Sequence, residues 1–222
     1  MPALLGQAIL GVWSDVDPGI EADYNAWYLH EHIPERLAVP GMRRGRRYRA
    51  ADGSPRYAAF YEAATLDVLT SGAYRAQLAN PTEWTQRVMR GVRLMQRGLC
   101  TVLADVGQGM GGAATFVHVR PHAGQDAALR AWVGATVPRL ARLTDVVAAH
   151  AWEIAPGEPG SPTTALTSGG AVNRPVHWVI TIETAGLAAA DAARSAAIEA
   201  APQAHGAAEV MEYPSYHLLS VL

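Results

Sequence analysis

The sequence predicts an α+β fold in which one β-α-β-β-α-β unit occurs twice, with antiparallel strands covered by helices on the outside. Three observations carry this reading. Short apolar, strand-like segments alternate with helical stretches along all 222 residues. A glycine-rich linker, GQGMGG at 107–112, divides the chain near its middle. Beyond it the order of segments begins again: HWVITIETAGL at 177–187 parallels AAFYEAATL at 58–66, with Glu183 in the place of Glu62.

In the first half, residues 3–13 form a strand half-buried on both sides, and Asp15 to Gly19 a turn. The stretch 23–48, DYNAWYLHEHIPERLAVPGMRRGRRY, is the densest in aromatic and ionisable groups. Read as a helix, it sets Tyr24, Tyr28 and His32 at four-residue steps on one face, with Trp27 alongside and His30 pointing outward. Pro34 ends or bends this helix, and Pro40-Gly41 turns the chain into a basic strand over 42–50. A connection at 51–55 and a strand at 56–63 follow. Helical segments cover 71–79 and 83–96, the second with Arg87, Arg90 and Arg93 on a solvated face. Residues 98–106 are the closing strand.

The second half reads as strand 113–120, helix 125–142, strand 145–154, a Gly/Pro/Ser/Thr loop at 156–175, and strand 177–187. An alanine-rich helix at 187–200 and a strand at 211–222 complete it. Trp132 and Pro138 stand roughly where Trp27 and Pro34 stood. Each unit is thus ferredoxin-like, one four-stranded antiparallel sheet with two helices on one face. The strands are apolar on both faces, so the sheets must cover one another, giving a barrel within a single chain. Residues 1–108 form a half carrying the candidate site, and 112–222 a half serving mainly as scaffold.

Composition narrows the function. Half the residues are hydrophobic, 17% are charged and the net charge is −2, which argues against nucleic acid or an anionic membrane as partner. All 18 basic residues are arginine, so no lysine can form a Schiff base or hold pyridoxal phosphate. The single cysteine, Cys100, lies in an apolar run and reads as a small buried hydrophobe. No basic n-region and no membrane-length apolar run is evident, so the expectation is a cytoplasmic protein. The outer helix faces leave a homodimer open.

His32 is the leading catalytic candidate, since an ordinary imidazole exchanges protons near neutral pH. The bland reading is a helix-end histidine bonding a carbonyl. Glu35, at i+3, could orient the ring, while Glu31 could pair with Arg36 outside. His30 and His32 point apart on a helix, so no metal site is expected. In the basic strand Met42, Arg44, Arg46 and Tyr48 share one face, and Arg43, Gly45, Arg47 and Arg49 the other. A buried arginine needs a partner, either Glu62 or Glu183 or an anionic ligand oxygen. Tyr24, Trp27, Tyr28, Arg47, Tyr48, Phe60 and Tyr61 are the expected substrate-binding residues, with Trp13 as a further wall. The second half has only small or apolar residues at the His32 position, and His118, His150 and His177 fall on strands as core or lining groups.

Trp27, Tyr28, His32, Pro34, Pro40-Gly41 and Arg47-Tyr48 together resemble the signature of the EthD-like members of the dimeric α+β barrel superfamily. The likeness covers roughly residues 4–106; the second half is similar in topology alone. It implies an intrachain version of the dimeric barrel. It also implies chemistry on a small molecule, because that superfamily includes muconolactone isomerases, polyketide cyclases, cofactor-free monooxygenases and haem enzymes. The reading that follows is a cofactor-independent isomerase, cyclase or dehydratase using His32 and Glu35 on an aromatic, polyketide-like or lactone substrate. The alternatives are a cofactor-free monooxygenase, a haem enzyme, haem being the main cofactor alternative, and a ligand-binding protein without turnover.

Overall fold

The computed structural model describes residues 3–155, 172–175 and 177–222, with the backbone alone for 172–175. Strand alternation sets its layers. In β1 (Ala8–Val16), Leu10, Val12 and Val16 pack outward beneath helices, whereas Ile9 and Trp13 point into the interior. The neighbouring strands β2 (Met42–Ala50) and β3 (Tyr57–Ala63) divide in the same way, Tyr57 and Tyr61 outward and Phe60 inward.

The strands close on themselves. β1, β3, β2, β9 (Ala207–Val221), β5 (Ala113–Pro121), β8 (Trp178–Thr184), β6 (Val146–Ile154) and β4 (Val92–Gly107) pair antiparallel in that order, and β4 returns to β1. The result is an eight-stranded α+β barrel with no free edge among these strands. A short strand, β7 (Val172–Pro175), lies parallel to β4. The long strands β4 and β9 join the two β-α-β-β-α-β units: β4 pairs first with β1 and then with β6, β9 first with β5 and then with β2.

Helices cover the barrel on two sides. Over the first unit lie α1 (Glu21–Trp27), α2 (Ile33–Leu37), α3 (Leu66–Leu69), α4 (Gly72–Ala79) and α5 (Glu83–Met89); over the second lie α6 (Asp126–Leu140) and α7 (Leu187–Glu199). Gly41, at φ 96, makes the turn into β2, and Gly45 lets α2 approach it, since a Cβ there would sit 2.8 Å from Ile33. No helix among the described residues is long and apolar enough to cross a membrane.

Two expectations change. Pro34 does not end the helix, although the regular α-helix is interrupted just before it over Tyr28–His32; it lies in the first turn of α2, which runs on to Leu37. The stretch 83–96 is not one helix: α5 stops at Met89 and β4 starts at Val92, so Arg93 is a strand residue paired with Asp17 at 2.5 Å. The expected loop at 156–175 falls outside the described residues except for β7.

The barrel interior is aromatic and charged. Arg46, wholly buried, bonds Glu62 through Nε at 2.9 Å and also pairs with Glu183. Arg44 reaches Glu62 at 2.7 Å, and His150 lies 2.9 Å from both Glu183 and Asp105. Backbone N–H groups complete the carboxylates, Leu5 to Glu62 at 2.5 Å and Gly111 to Glu183 at 3.0 Å. Burial works against a charged His150, but the bonds to Asp105 and Glu183 outweigh it and raise the ring above its ordinary pKa. Protonated, it makes three cations against three carboxylates.

Arg46→Met should destabilise the protein by about 3–5 kcal/mol in denaturant unfolding, because it strands buried carboxylates. Because His150 titrates higher folded than unfolded, its contribution is full below pH ~6.5 and is lost as pH rises through the folded value. The melting-temperature advantage of the native chain over His150→Gln should therefore shrink between acidic and alkaline buffer.

Candidate active site between the first helices and the sheet

The site begins with a defect in a helix. Between α1 and α2, residues Tyr28–His32 form a π-helical turn in which the Ile33 N–H bonds the Tyr28 carbonyl, five residues back. In a regular α-helix residues five apart point about 140° away from each other. The wider turn brings Trp27 and His32 together, their rings stacked at 4.2 Å and 26°. Tyr28 and Tyr61 meet the imidazole edge-on at 5.1 and 6.0 Å.

Trp27 is itself anchored. Its Nε1 donates to Glu31 at 3.1 Å and to Thr85 at 3.0 Å, and the same Glu31 oxygen accepts from Thr82 (2.6 Å) and Thr85 (3.1 Å). Glu31, four residues after the tryptophan, therefore holds the indole. Glu35 does not reach His32: its carboxylate stands 3.7 Å from Arg36, and its carbonyl accepts from Gln77 at 2.6 Å.

Beside His32 lies a cavity of about 40 Å³, walled by Tyr24, Trp27, Tyr28, Arg36, Tyr74 and Arg97, with Leu10, Val12, Met89 and Met95 on the apolar side. It is large enough for a few waters or a polar head group. Tyr24 is tied to Ser14 by a 2.6 Å hydroxyl bond. Arg36 is buried, bonds Gln77 at 3.0 Å and lies over the Tyr74 ring. Arg97 donates to the Tyr74 hydroxyl at 2.9 Å.

His32 makes no hydrogen bond to any described residue, and its Nδ1 is buried without a partner. Burial, followed by the charges of Arg36 and Arg47, holds the ring well below its ordinary pKa. It is a neutral imidazole at physiological pH, a ready proton acceptor that forms a poor cation.

The expected residues separate by strand parity. Tyr24, Trp27, Tyr28 and His32 share the cavity wall, and Tyr61 stands next to His32. Arg47 is on the same side of the sheet but behind the wall, its guanidinium 4.3 to 5.1 Å from the rings of Tyr28, Tyr57 and Tyr24. Tyr48 and Phe60 are not part of this cavity. They stack on each other at 5.5 Å inside the barrel, where Trp13 meets Phe116 edge-on, because adjacent strand residues face opposite ways. Arg36, Tyr74, Thr85 and Arg97 are additions. Arg36 had a visible signal, four residues after His32, whereas Arg97 was hidden by the misplaced start of β4.

Other titratable groups are occupied or inert. His118, buried between Trp13 and Tyr213, is driven down to about 3 by burial, and burial pushes the Cys100 thiol up to about 12. No group of three or more His, Cys, Asp and Glu that could hold a metal occurs among the described residues. Under α6 the matching space, between Leu129, Trp132, Val133 and Trp178, has about 0 Å³ of open volume. A larger groove of about 390 Å³ runs beside α7, but its arginine, Arg194, is already paired with Asp191 and Glu212.

No protein-family model and no curated protein matches the sequence. Solved structures do match, and their likeness defines the fold: this is an α+β barrel of the dimeric α+β barrel type. An anthrone oxidase-like protein is 13% identical with a TM-score of 0.61, covering 97% of this chain and 92% of its own. A proposed monooxygenase from Lactobacillus acidophilus is 6% identical with a TM-score of 0.60, covering 97% and 95%. A heme-binding protein from Thermus thermophilus is 14% identical with a TM-score of 0.52, covering 99% and 95%.

His32 should titrate below pH 6.5 when followed by imidazole NMR shifts, with His32→Gln assigning the signal. A midpoint at or above that value would contradict the burial and charge described here.

Proposed function

We propose that the chain is a cofactor-independent enzyme in which neutral His32 takes a proton from a small aromatic, ketonic or lactone substrate. The observation that carries this reading is the unpartnered, neutral imidazole stacked on Trp27 at the edge of a cavity with guanidinium groups. A proton moving to His32 creates a cation next to Arg36, which is unfavourable alone. It becomes favourable when the substrate is left as an enolate or phenolate in the same water-poor cavity, where the arginines stabilise it. Return of the proton to another atom completes an isomerisation, and its use on a leaving hydroxyl completes a dehydration.

A second reading uses the same first step. The descriptions of an anthrone oxidase-like protein and of proposed monooxygenases among the structural neighbours favour an oxygenase. There the bound carbanion reacts with O2; a CH2 carbon becomes C=O, one oxygen atom entering the product and the other leaving as water. Haem fits poorly. The first cavity is about 40 Å³ with one face of His32 covered by Trp27, and the space under α6 is filled. Glu31 joins the expected residues as a positioning group and Tyr61, expected as a substrate contact, acts beside His32, while Tyr48, Phe60 and Glu35 have no contact with His32 that would support such a role. We further infer that residues 1–108 carry the activity with 112–222 as scaffold, that the chain is EthD-like, and that it works in the cytoplasm.

His32→Gln should lower turnover by about 10²–10⁴-fold while the melting temperature stays nearly unchanged. Phenolic and lactone compounds screened with an oxygen electrode separate oxygenation from proton transfer. The acid limb of kcat/KM should lie below pH 6.5 and vanish in the variant. A variant that unfolds easily yet keeps its specific activity would reduce His32 to a structural residue.

A further inference from the structure

We infer that the cavity recognises an anionic head group, and that the ligand is a small aromatic carboxylic acid whose carboxylate lies against Arg36, Arg97 and the Tyr74 hydroxyl. This deepens the function proposed above and rests on it for the identity of the site.

The inference starts from how the other arginines are used. Within the barrel Arg44 and Arg46 are matched by Glu62 and Glu183, and on the surface Arg56, Arg87, Arg93, Arg120 and Arg130 each have a carboxylate at 3.1 Å or closer. The cavity is different. Arg36, only 3% exposed, has no carboxylate nearer than Glu35 at 3.7 Å among the described residues. Arg97, half-buried on the cavity wall, has no carboxylate partner among the described residues; its one side-chain hydrogen bond is to Tyr74. Behind them Arg47 has no carboxylate partner among the described residues; it lies against the rings of Tyr24, Tyr28 and Tyr57, with Nε and Nη2 buried and making no hydrogen bond. Guanidinium groups removed from water are costly unless paired. Two of them on the wall of one small cavity, with Arg47 behind it, leave a local positive charge that an incoming anion would neutralise.

Geometry narrows the anion. Tyr74 connects the two cavity arginines: the Arg36 guanidinium lies 5.5 Å over its ring and Arg97 donates to its oxygen. That hydroxyl keeps its own proton free to donate. Two planar guanidinium donors and one hydroxyl donor suit the two oxygens of a carboxylate. The enclosed volume, about 40 Å³, matches a head group rather than a whole ligand. Most of the remaining wall is aromatic or apolar, Trp27, Tyr28, Leu10 and Met89 among it, so the rest of the ligand is apolar and flat enough to lie against aromatic rings near His32.

The test is calorimetric titration of the full chain with acid and amide pairs: benzoate against benzamide, salicylate against salicylamide, 4-hydroxyphenylacetate against its amide. At least one acid should bind saturably, about tenfold or more tighter than its amide, and Arg97→Gln should remove most of that preference. Arg36→Gln should do the same; because Arg36 is buried, its melting curve is taken alongside, and Arg97→Gln carries the decision if it unfolds. His32→Gln should keep the acid preference within about threefold, so carboxylate recognition and His32 catalysis can fail separately. Equal affinity for acid and amide, no binding of any acid, or an acid preference untouched in Arg97→Gln would each overturn the inference.

Discussion

Arg46 is the residue around which the barrel is assembled. It comes from the first unit, yet its guanidinium is shared between Glu62 of that unit and Glu183 of the second. Glu183 in turn holds His150, which holds Asp105 on the long strand that crosses back to the first unit. Ions taken out of water are tolerable only when every one of them is matched, so the two sheets cannot part without stranding charge. The carboxylates are also completed by backbone N–H groups from equivalent places, Leu5 for Glu62 and Gly111 for Glu183. The interior is thereby filled with charge-matched polar groups and with Trp13, Trp152, Phe60 and Phe116. The enclosed space beside His32 lies instead between sheet and helices.

The two environments treat the same residue types differently. In the barrel, carboxylates bond His150 and raise its affinity for a proton; outside, burial and then the charges of Arg36 and Arg47 lower that of His32. The first histidine is held toward its charged form by its two carboxylate partners and serves the fold. The second is a neutral base beside positive charge that the chain does not itself compensate. Separating titratable groups by environment in this way assigns them roles without reference to any reaction.

Much of this was legible in the sequence. Repeated segment order and the Glu62/Glu183 correspondence indicate the doubled unit, because apolar strand periodicity and turn residues are local properties. The aromatic and histidine spacing at 24–32 marks one wall of the cavity for the same reason. What was not legible depended on long-range geometry. Tyr48 and Phe60 alternate with Arg47 and Tyr61, and nothing local says which set faces the helices. Arg97 and Tyr74 reach the site only because β4 begins at Val92 and α4 packs over it, and the helical periodicity of 83–96 obscured that boundary.

The first helix of the two copies differs in its tryptophan-to-proline spacing by a single residue. From Trp27 to Pro34 is seven positions, whereas from Trp132 to Pro138 is six. In the second unit the helix runs unbroken from Asp126 to Leu140, and Trp132 bonds the carbonyl of Ala200 and fills the space beneath it. In the first, the extra residue is absorbed as the π turn at Tyr28–His32. That turn rotates the following residue onto the indole, so a side chain that would face away in a regular helix is stacked on Trp27. The same turn leaves the space beneath Trp27 partly unfilled. One insertion thus accounts both for the cavity and for the histidine at its edge, and its absence explains why the second copy is packed shut.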